Sequence, residues 1–323
     1  MSYESKQRII QQVFFKGMCG GIFGRAEYPF VLKEENRKQN LFQQISDNAI
    51  DYFKSNNIGW WRGVNVLPTN HALSSQVACI NHLFWLINNP VAANAVLKEI
   101  DSDFTAIPFE NGNFVEFELN GCDEQHTYNY LNERSSTRGA NTTSIDACML
   151  AKKGNATILV FIEWKYVEKY YEKPIKAAQN ASYEVRKKTY EKMLKDDSSP
   201  VIMDKQNTNS LCDYDSAYSK FSVEPFYQLM RQTLLAWQLT KNNRYGATDY
   251  IHIHVIPGGN DRLLNGKTSP QITDGEANIC IAWAKWLKSP EKYIHISPSK
   301  LLGSASSTYN KPLYEYLNAR YWN

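Results

Sequence analysis

The chain has 323 residues, 43% of them hydrophobic and 21% charged, and a net charge of only +3. That length suffices for one large domain or two small ones, and the balance is that of a folded protein with a sizeable core. No apolar run approaches the roughly 18–20 residues that span a bilayer, and so small a net charge does not by itself point to nucleic acid. The six cysteines (Cys19, Cys79, Cys122, Cys148, Cys212 and Cys280) stand far apart with no CxxC pair. Neither a zinc knuckle nor a disulfide scaffold is therefore indicated. Met1-Ser2-Tyr3-Glu4-Ser5-Lys6 is too polar to open a secretory signal, so a cytoplasmic protein with reduced cysteines and no membrane span is expected.

The first hundred residues read as mostly helical. Asn40 to Lys54 and Ala72 to Leu86 repeat apolar residues at spacings of three and four, with Gly20-Gly21, Gly59 and Pro68 as punctuation. Gln76 and Asn81 read as buried hydrogen-bonding residues of the second segment. Asn113 to Leu119 alternates as a first strand, and its Glu116 and Glu118 share a face that reads as a charged solvent edge. Asp123 to Asn141 makes a loop or short helix above the sheet edge, carrying Glu133 and Arg138. Thr143 to Leu150 reads as the second strand and the β-branched run Thr157 to Ile162 as a buried third. The turn at Gly154-Asn155 lets these two pair as a hairpin, which brings Asp146 beside Glu163.

Residues 174–195 read as a helix with Pro174 in its first turn. From Lys165 to Lys195 there are nine Lys or Arg against four Glu, with tyrosines at 166, 170, 171, 183 and 190. Such a helix offers a basic face to phosphates, or it is simply a solvated surface. A polar loop over 196–209 leads to an amphipathic helix over 224–240, on which Gln228 and Arg231 lie three residues apart on similar faces. Tyr250 to Ile256 is an apolar strand ended by Pro257-Gly258-Gly259. A helix from Ala277 to Leu287 and an aromatic helix near Tyr314 close the chain. Helix, three strands, helix, strand is the order of an α/β core with antiparallel pairing first and a parallel crossover later. With no repeat and no linker, one domain is expected: a helical elaboration over 1–100, a catalytic core over 112–256 and C-terminal helices over 257–323.

Chemistry concentrates at the ends of the second and third strands. Asp146 is followed seventeen residues later by Glu163-Trp164-Lys165. Alternation sends Glu163 and Lys165 to one face and Trp164 to the other. Two carboxylates at the end of an apolar strand are costly to desolvate unless something compensates them. Mg²⁺ does so naturally, taking carboxylate oxygens and keeping waters that a phosphate can replace. The plain alternative is a solvated strand end with an incidental ion pair. His252 and His254 also share a strand face. In a histidine-triad nucleotide hydrolase the first histidine would fall at position 250, which is Tyr250, so a packed or DNA-facing pair is the better reading.

Glu133, Arg138-Gly139-Ala140-Asn141, Thr143-Ser144-Ile145-Asp146-Ala147 and Ile162 to Glu168 together resemble the PD-(D/E)XK nuclease superfamily. More narrowly they resemble a bacterial restriction-endonuclease-like family with the pattern E…RGANxTSxDA…IEWKYxE. The likeness is close over about forty residues, with weaker echoes at Ser74-Ser75-Gln76, Asn81 and Tyr227 to Arg231. Ile145 stands where the superfamily usually has proline. The resemblance implies a central mixed sheet flanked by helices, with Asp146 and Glu163 as metal ligands joined by the Trp164 carbonyl. It implies Lys165 as the catalytic lysine, Glu133 as an additional acid ahead of Glu116 and Glu118, and Gln228 near the scissile phosphate. Arg138 and Arg231 are candidates for DNA contact. The expectation is a Mg²⁺-dependent deoxyribonuclease, with Mn²⁺ substituting, that acts on DNA as an endonuclease. Cutting both strands at one site would suit a homodimer. The rival reading is a catalytically silent DNA-binding or interaction module on the same fold.

Overall fold

The computed structural model describes residues 1–123, 127–134, 142–170, 181–203, 218, 221–266 and 276–322. Helix α1 (Tyr3–Phe14) starts where the Ser2 hydroxyl accepts the Ser5 N–H, an ordinary N-cap. Strands β1 (Cys19–Phe23) and β2 (Ala26–Leu32) then form an antiparallel hairpin. The sequence reading gave this tract as helical. Exposure along the hairpin runs in blocks, with Ala26 to Pro29 exposed and Phe30 to Leu32 buried, rather than alternating, so no period of two announces it. Its closure depends on Gly21, where a Cβ would lie 1.9 Å from the Leu32 carbonyl oxygen. Helices α2 (Gln43–Ser55), α3 (Ser75–Leu83) and α4 (Pro90–Lys98) follow. Ser74 caps α3, and Asn89 caps α4 with Pro90 in its first turn.

The main sheet has six strands: β3 (Thr105–Ile107), β4 (Glu116–Asn120), β5 (Ser144–Lys153), β6 (Ala156–Trp164), β7 (Asp249–Val255) and β8 (Tyr293–Ile296). β3 and β4 occupy successive stretches of one edge of β5, and β6, β7 and β8 follow in order from its other edge. β5 pairs antiparallel with β3, β4 and β6, whereas β6–β7–β8 run parallel. The crossover from β6 to β7 carries α5 (Ala181–Leu194) and α6 (Phe226–Lys241). This is an α/β protein with a mixed central sheet flanked by helices. β8 is too short, at four residues, for a periodicity to register in sequence.

Alternation along β5 and β6 splits the core in two. Ala147, Met149, Ala151, Ile158, Val160, Ile162 and Trp164 join the side chains of α2–α4 and of the C-terminal helices Pro298–Tyr309 and Lys311–Leu317. Cys148, Leu150, Leu159 and Phe161 join α5, α6 and the short helix Ile279–Ala284. Helices on both faces leave the middle strands no wet side, which is why β6 is a continuous apolar run. The solvent-edge reading of β4 fails for a related reason. Glu116 and Glu118 are half-buried, since Tyr52 of α2 donates to Glu116 at 2.5 Å and Gln76 of α3 donates to Glu118 at 2.7 Å. Asn81 is buried as read, linking Phe42, Asn40 and Tyr321.

Cys19, Cys79, Cys122, Cys148 and Cys280 are free thiols, and Cys212 lies outside the described residues. Among those residues no helix is long and apolar enough to cross a membrane.

Candidate active site

Where β6 leaves the core, its last inward positions turn polar. Glu163 is 2% exposed and Lys165 5% exposed, both on the α6 side, while Trp164 packs against His82 on the other face at 4.6 Å. The Lys165 backbone N–H donates to the Val255 carbonyl at 2.9 Å, so the parallel β7 ladder fixes where the lysine begins. Its Nζ donates to Glu163 Oε1 at 2.6 Å and to Gln228 Oε1 at 2.7 Å. Gln228 in turn donates through Nε2 to the same Glu163 oxygen at 2.8 Å. The other Glu163 oxygen takes Gln232 Nε2 at 2.5 Å. Glu163 thus receives three N–H donors, two of them from glutamines one turn apart on α6.

Burial opposes the charge of Lys165, but Glu163, then Tyr170, Glu168 and Asp146, outweigh it and hold the ammonium well above the usual lysine range. The ammonium is thereby held between Glu163 and Gln228. Asp146 accepts the Trp164 N–H at 2.7 Å. Its carboxyl is pushed well above the ordinary aspartate range by burial first, then by repulsion from Glu163 and Glu118.

Glu118 is the acid that β4 sets against Asp146. The flanking pairs Phe117↔Ala147 and Leu119↔Ile145 bracket the two residues in register. Glu118 itself has a φ of +52°, a left-handed conformation that costs a non-glycine residue about 1–2 kcal/mol. Strain of this kind persists only where the surroundings over-determine it. Here Gln76 and Ser144 both reach the carboxylate, at 2.7 and 3.5 Å. Gln76 is thus half-buried at the site rather than buried in the core.

Glu133 sits elsewhere. Its oxygens accept the Thr143 N–H at 2.7 Å, the Thr143 hydroxyl at 2.5 Å and the Tyr190 hydroxyl at 2.7 Å, with Arg231 at 3.9 Å. Arg231 stacks on Tyr227 at 4.6 Å and belongs to this second network. The structure brings together Asp146, Glu163, Lys165 and Gln228, and places Glu133 and Arg231 beside each other apart from them. Arg138 lies outside the described residues. Two contributors escaped the sequence reading. Glu118 was weighed and set down as an edge residue. Gln232 went unnoticed, although it stands four residues after Gln228 and so on the same helix face.

A family model described as "Restriction Endonuclease associating with ARP" matches residues 8–322. The chain belongs to that family. No curated protein and no solved structure matches it.

In this member of the restriction endonuclease associating with ARP family, the residue types at the strand end suit a hard divalent cation. Glu163 and Asp146 lie close to Lys165 and Glu118 lies beside Asp146; burial first, and then repulsion from Glu163 and Glu118, raises Asp146. Such an excess of negative charge calls for a cation with oxygen ligands. Among the described residues no three His, Cys, Asp or Glu side chains are gathered so as to hold a metal ion. His252 and His254 contribute nothing here. Both are buried, at 1% and 0% exposure, with Nδ1 3.4 Å from Thr233 and 2.8 Å from Tyr293 respectively, so neither can act on a substrate or face DNA. Of the basic tract, Lys187 is buried and paired with Glu184 at 2.9 Å, while Lys188, Lys192 and Lys195 are exposed.

Proposed function

We propose that this protein is a divalent-metal-dependent deoxyribonuclease, on a restriction-endonuclease-like core, with its reaction centre at the Asp146, Glu163 and Lys165 strand ends. The observation that carries the reading is the charge imbalance at one point of the sheet. Glu163 and Asp146 meet Lys165, with Glu118 beside Asp146 and Glu168 near the lysine, next to a cleft of about 690 Å³ that Glu118, Asp146 and Glu168 line. Membership of a family named for a restriction endonuclease supports the same activity, and that name also suggests ARP as a partner.

Mg²⁺, or Mn²⁺ in its place, bound by Asp146, Glu163 and the Trp164 carbonyl would neutralise phosphate charge and make water a better nucleophile. The chain's own residues do the rest. Lys165 holds a positive charge where negative charge grows on the phosphate during attack. Gln228 fixes the lysine and Glu163 together, and Gln232 holds the second Glu163 oxygen. Glu118 adds negative charge next to Asp146, in the place of the additional upstream acid. Glu133 anchors the entry to β5 through Thr143, with Arg231 beside it. Exposed lysines of α5 and Arg138 are the candidate contacts to the DNA backbone, and the protein would act as a homodimer.

The test is cleavage of supercoiled plasmid by purified protein with and without Mg²⁺ or Mn²⁺, beside Lys165→Ala and Glu163→Gln. Metal-dependent nicking or linearisation that disappears in both variants is expected. Cleavage that survives both substitutions would remove the site. No cleavage by the wild type under any metal would favour a silent module on the same fold.

A further inference from the structure

The cleft beside Asp146 and Glu118 has an aromatic wall that the reaction centre does not use. Trp60, Trp61, His71 and Gln76 line it together with those two acids. Trp60 is consumed by the core, stacked on Phe53 at 3.8 Å and 12°. Trp61 is not: its side chain is 49% exposed, flanked by Phe23 at 5.6 Å and by the edge of His71 at 6.1 Å. A half-exposed indole forgoes about half the stabilisation that burial would give it.

The loop that carries Trp61 is held in place at further cost. Asn57, Arg62 and Asn65 all take positive φ, at 51°, 54° and 56°. Gly63 is irreplaceable, since a Cβ there would lie 2.5 Å from both the Leu67 carbonyl oxygen and the Trp60 Cβ. Gln76 ties the loop to the acids directly. It accepts the Trp61 N–H at 2.8 Å while donating to the Gly59 carbonyl at 3.2 Å and to Glu118 at 2.7 Å. One side chain therefore sets the distance from the indole to the acidic site. Arg62, the next residue, is exposed.

We propose that Trp61 is a stacking platform for an unpaired nucleobase, so that the preferred substrate is single-stranded DNA, its backbone led past Arg62 to Asp146. This rests on the nuclease reading above. An aromatic ring stacks on any base that has a free π-face. Bases within a duplex have both faces covered by their neighbours, so a side-on indole reaches only an unpaired, terminal or flipped base. The cleft volume falls in the range that holds small ligands and so accommodates a nucleotide.

The test is metal-free binding of a labelled single-stranded oligodeoxynucleotide and of the same sequence annealed as a blunt duplex, by wild type, Trp61→Ala and Trp61→Phe. Circular dichroism of each variant checks its fold. Wild type should bind the single strand more tightly than the duplex. Trp61→Ala should weaken single-strand binding by about tenfold, the worth of one stacked base, and Trp61→Phe should restore most of it. Equal affinity of folded Trp61→Ala and wild type for the single strand, or no single-strand preference in wild type, would overturn the platform. Cleavage in Mg²⁺ separates the two readings. Trp61-dependent binding without cleavage leaves the platform standing and the nuclease reading fallen. Cleavage with Trp61-independent binding does the reverse.

Discussion

Gln232 shows how much one uncharged side chain can decide at this site. It is fully buried, and its Nε2 donates both to Glu163 at 2.5 Å and to the Ser144 carbonyl at 3.2 Å, joining the ends of β5 and β6. Gln232→Leu keeps the volume and removes both bonds. A hydrogen bond to a charged group contributes about 1.5–3 kcal/mol, so the urea midpoint should fall, and metal-dependent cleavage compared at equal folded fraction should fall as well. Unchanged cleavage would mean that Glu163 needs no such anchor. The two candidate upstream acids separate on similar grounds. Glu118→Gln should depress cleavage and leave the fold intact, because it removes charge beside Asp146. Glu133→Gln should instead cost about 2–3 kcal/mol of stability, because Thr143, Tyr190 and Arg231 all depend on that carboxylate. Cleavage rates compared at equal folded fraction, beside denaturant curves, decide which acid serves which purpose.

Elements carry the next level of explanation. Placement of the Glu163–Lys165 face was legible in the sequence because alternation is a local property: an apolar run that turns polar at its end must present i and i+2 together. The partners of that face come from α6, which begins 32 residues after the end of α5, and no local pattern selects them. The β1–β2 hairpin was illegible for the opposite reason. Its buried residues come in a block, Phe30 to Leu32, rather than in alternation, so burial imprints no period, and the close approach at Gly21 leaves no local signal either. Gly21→Ala should therefore force the hairpin open and lower stability by about 2 kcal/mol or more. Thermal unfolding is the measurement, and an unchanged Tm would show that the hairpin is incidental to the fold.

At the scale of the whole molecule, Arg320 closes the structure. It is fully buried with no carboxylate among its hydrogen-bond partners, donating to Gln11, Asn40, Tyr316 and the Ala72 carbonyl. The last residues are thereby tied to the N-terminal helices. Buried histidines distribute another global property. Burial holds His82 and His252 down at about 3, and holds His254 well below its ordinary value. The unfolded chain takes up these protons near pH 6.5 while the folded chain does not. Their contribution to stability is thus intact above pH 6.5 and is lost as pH falls from there toward 3. By pH 5 each histidine should cost about 2 kcal/mol. Urea midpoints measured from pH 7.5 to 5 should decline steadily, and His252→Asn should flatten the slope. A flat profile in the wild type would mean that these rings titrate normally and lie closer to water than the structure has them.

The sequence by itself determined the α/β class, the β5–β6 hairpin, the parallel crossover to β7 and the shared face of Glu163 and Lys165, because each follows from periodicity within about ten residues. Only the tertiary structure decided that Glu118 rather than Glu133 meets Asp146, that Gln232 joins Gln228 on Glu163, and that His252 and His254 are sealed inside. Those outcomes depend on the β4–β5 register, on the seating of α6 and on the cover that α6 and Tyr293 of β8 give to β7. Each is a long-range packing choice, made by the burial of whole faces at once rather than by any residue's neighbours in the chain.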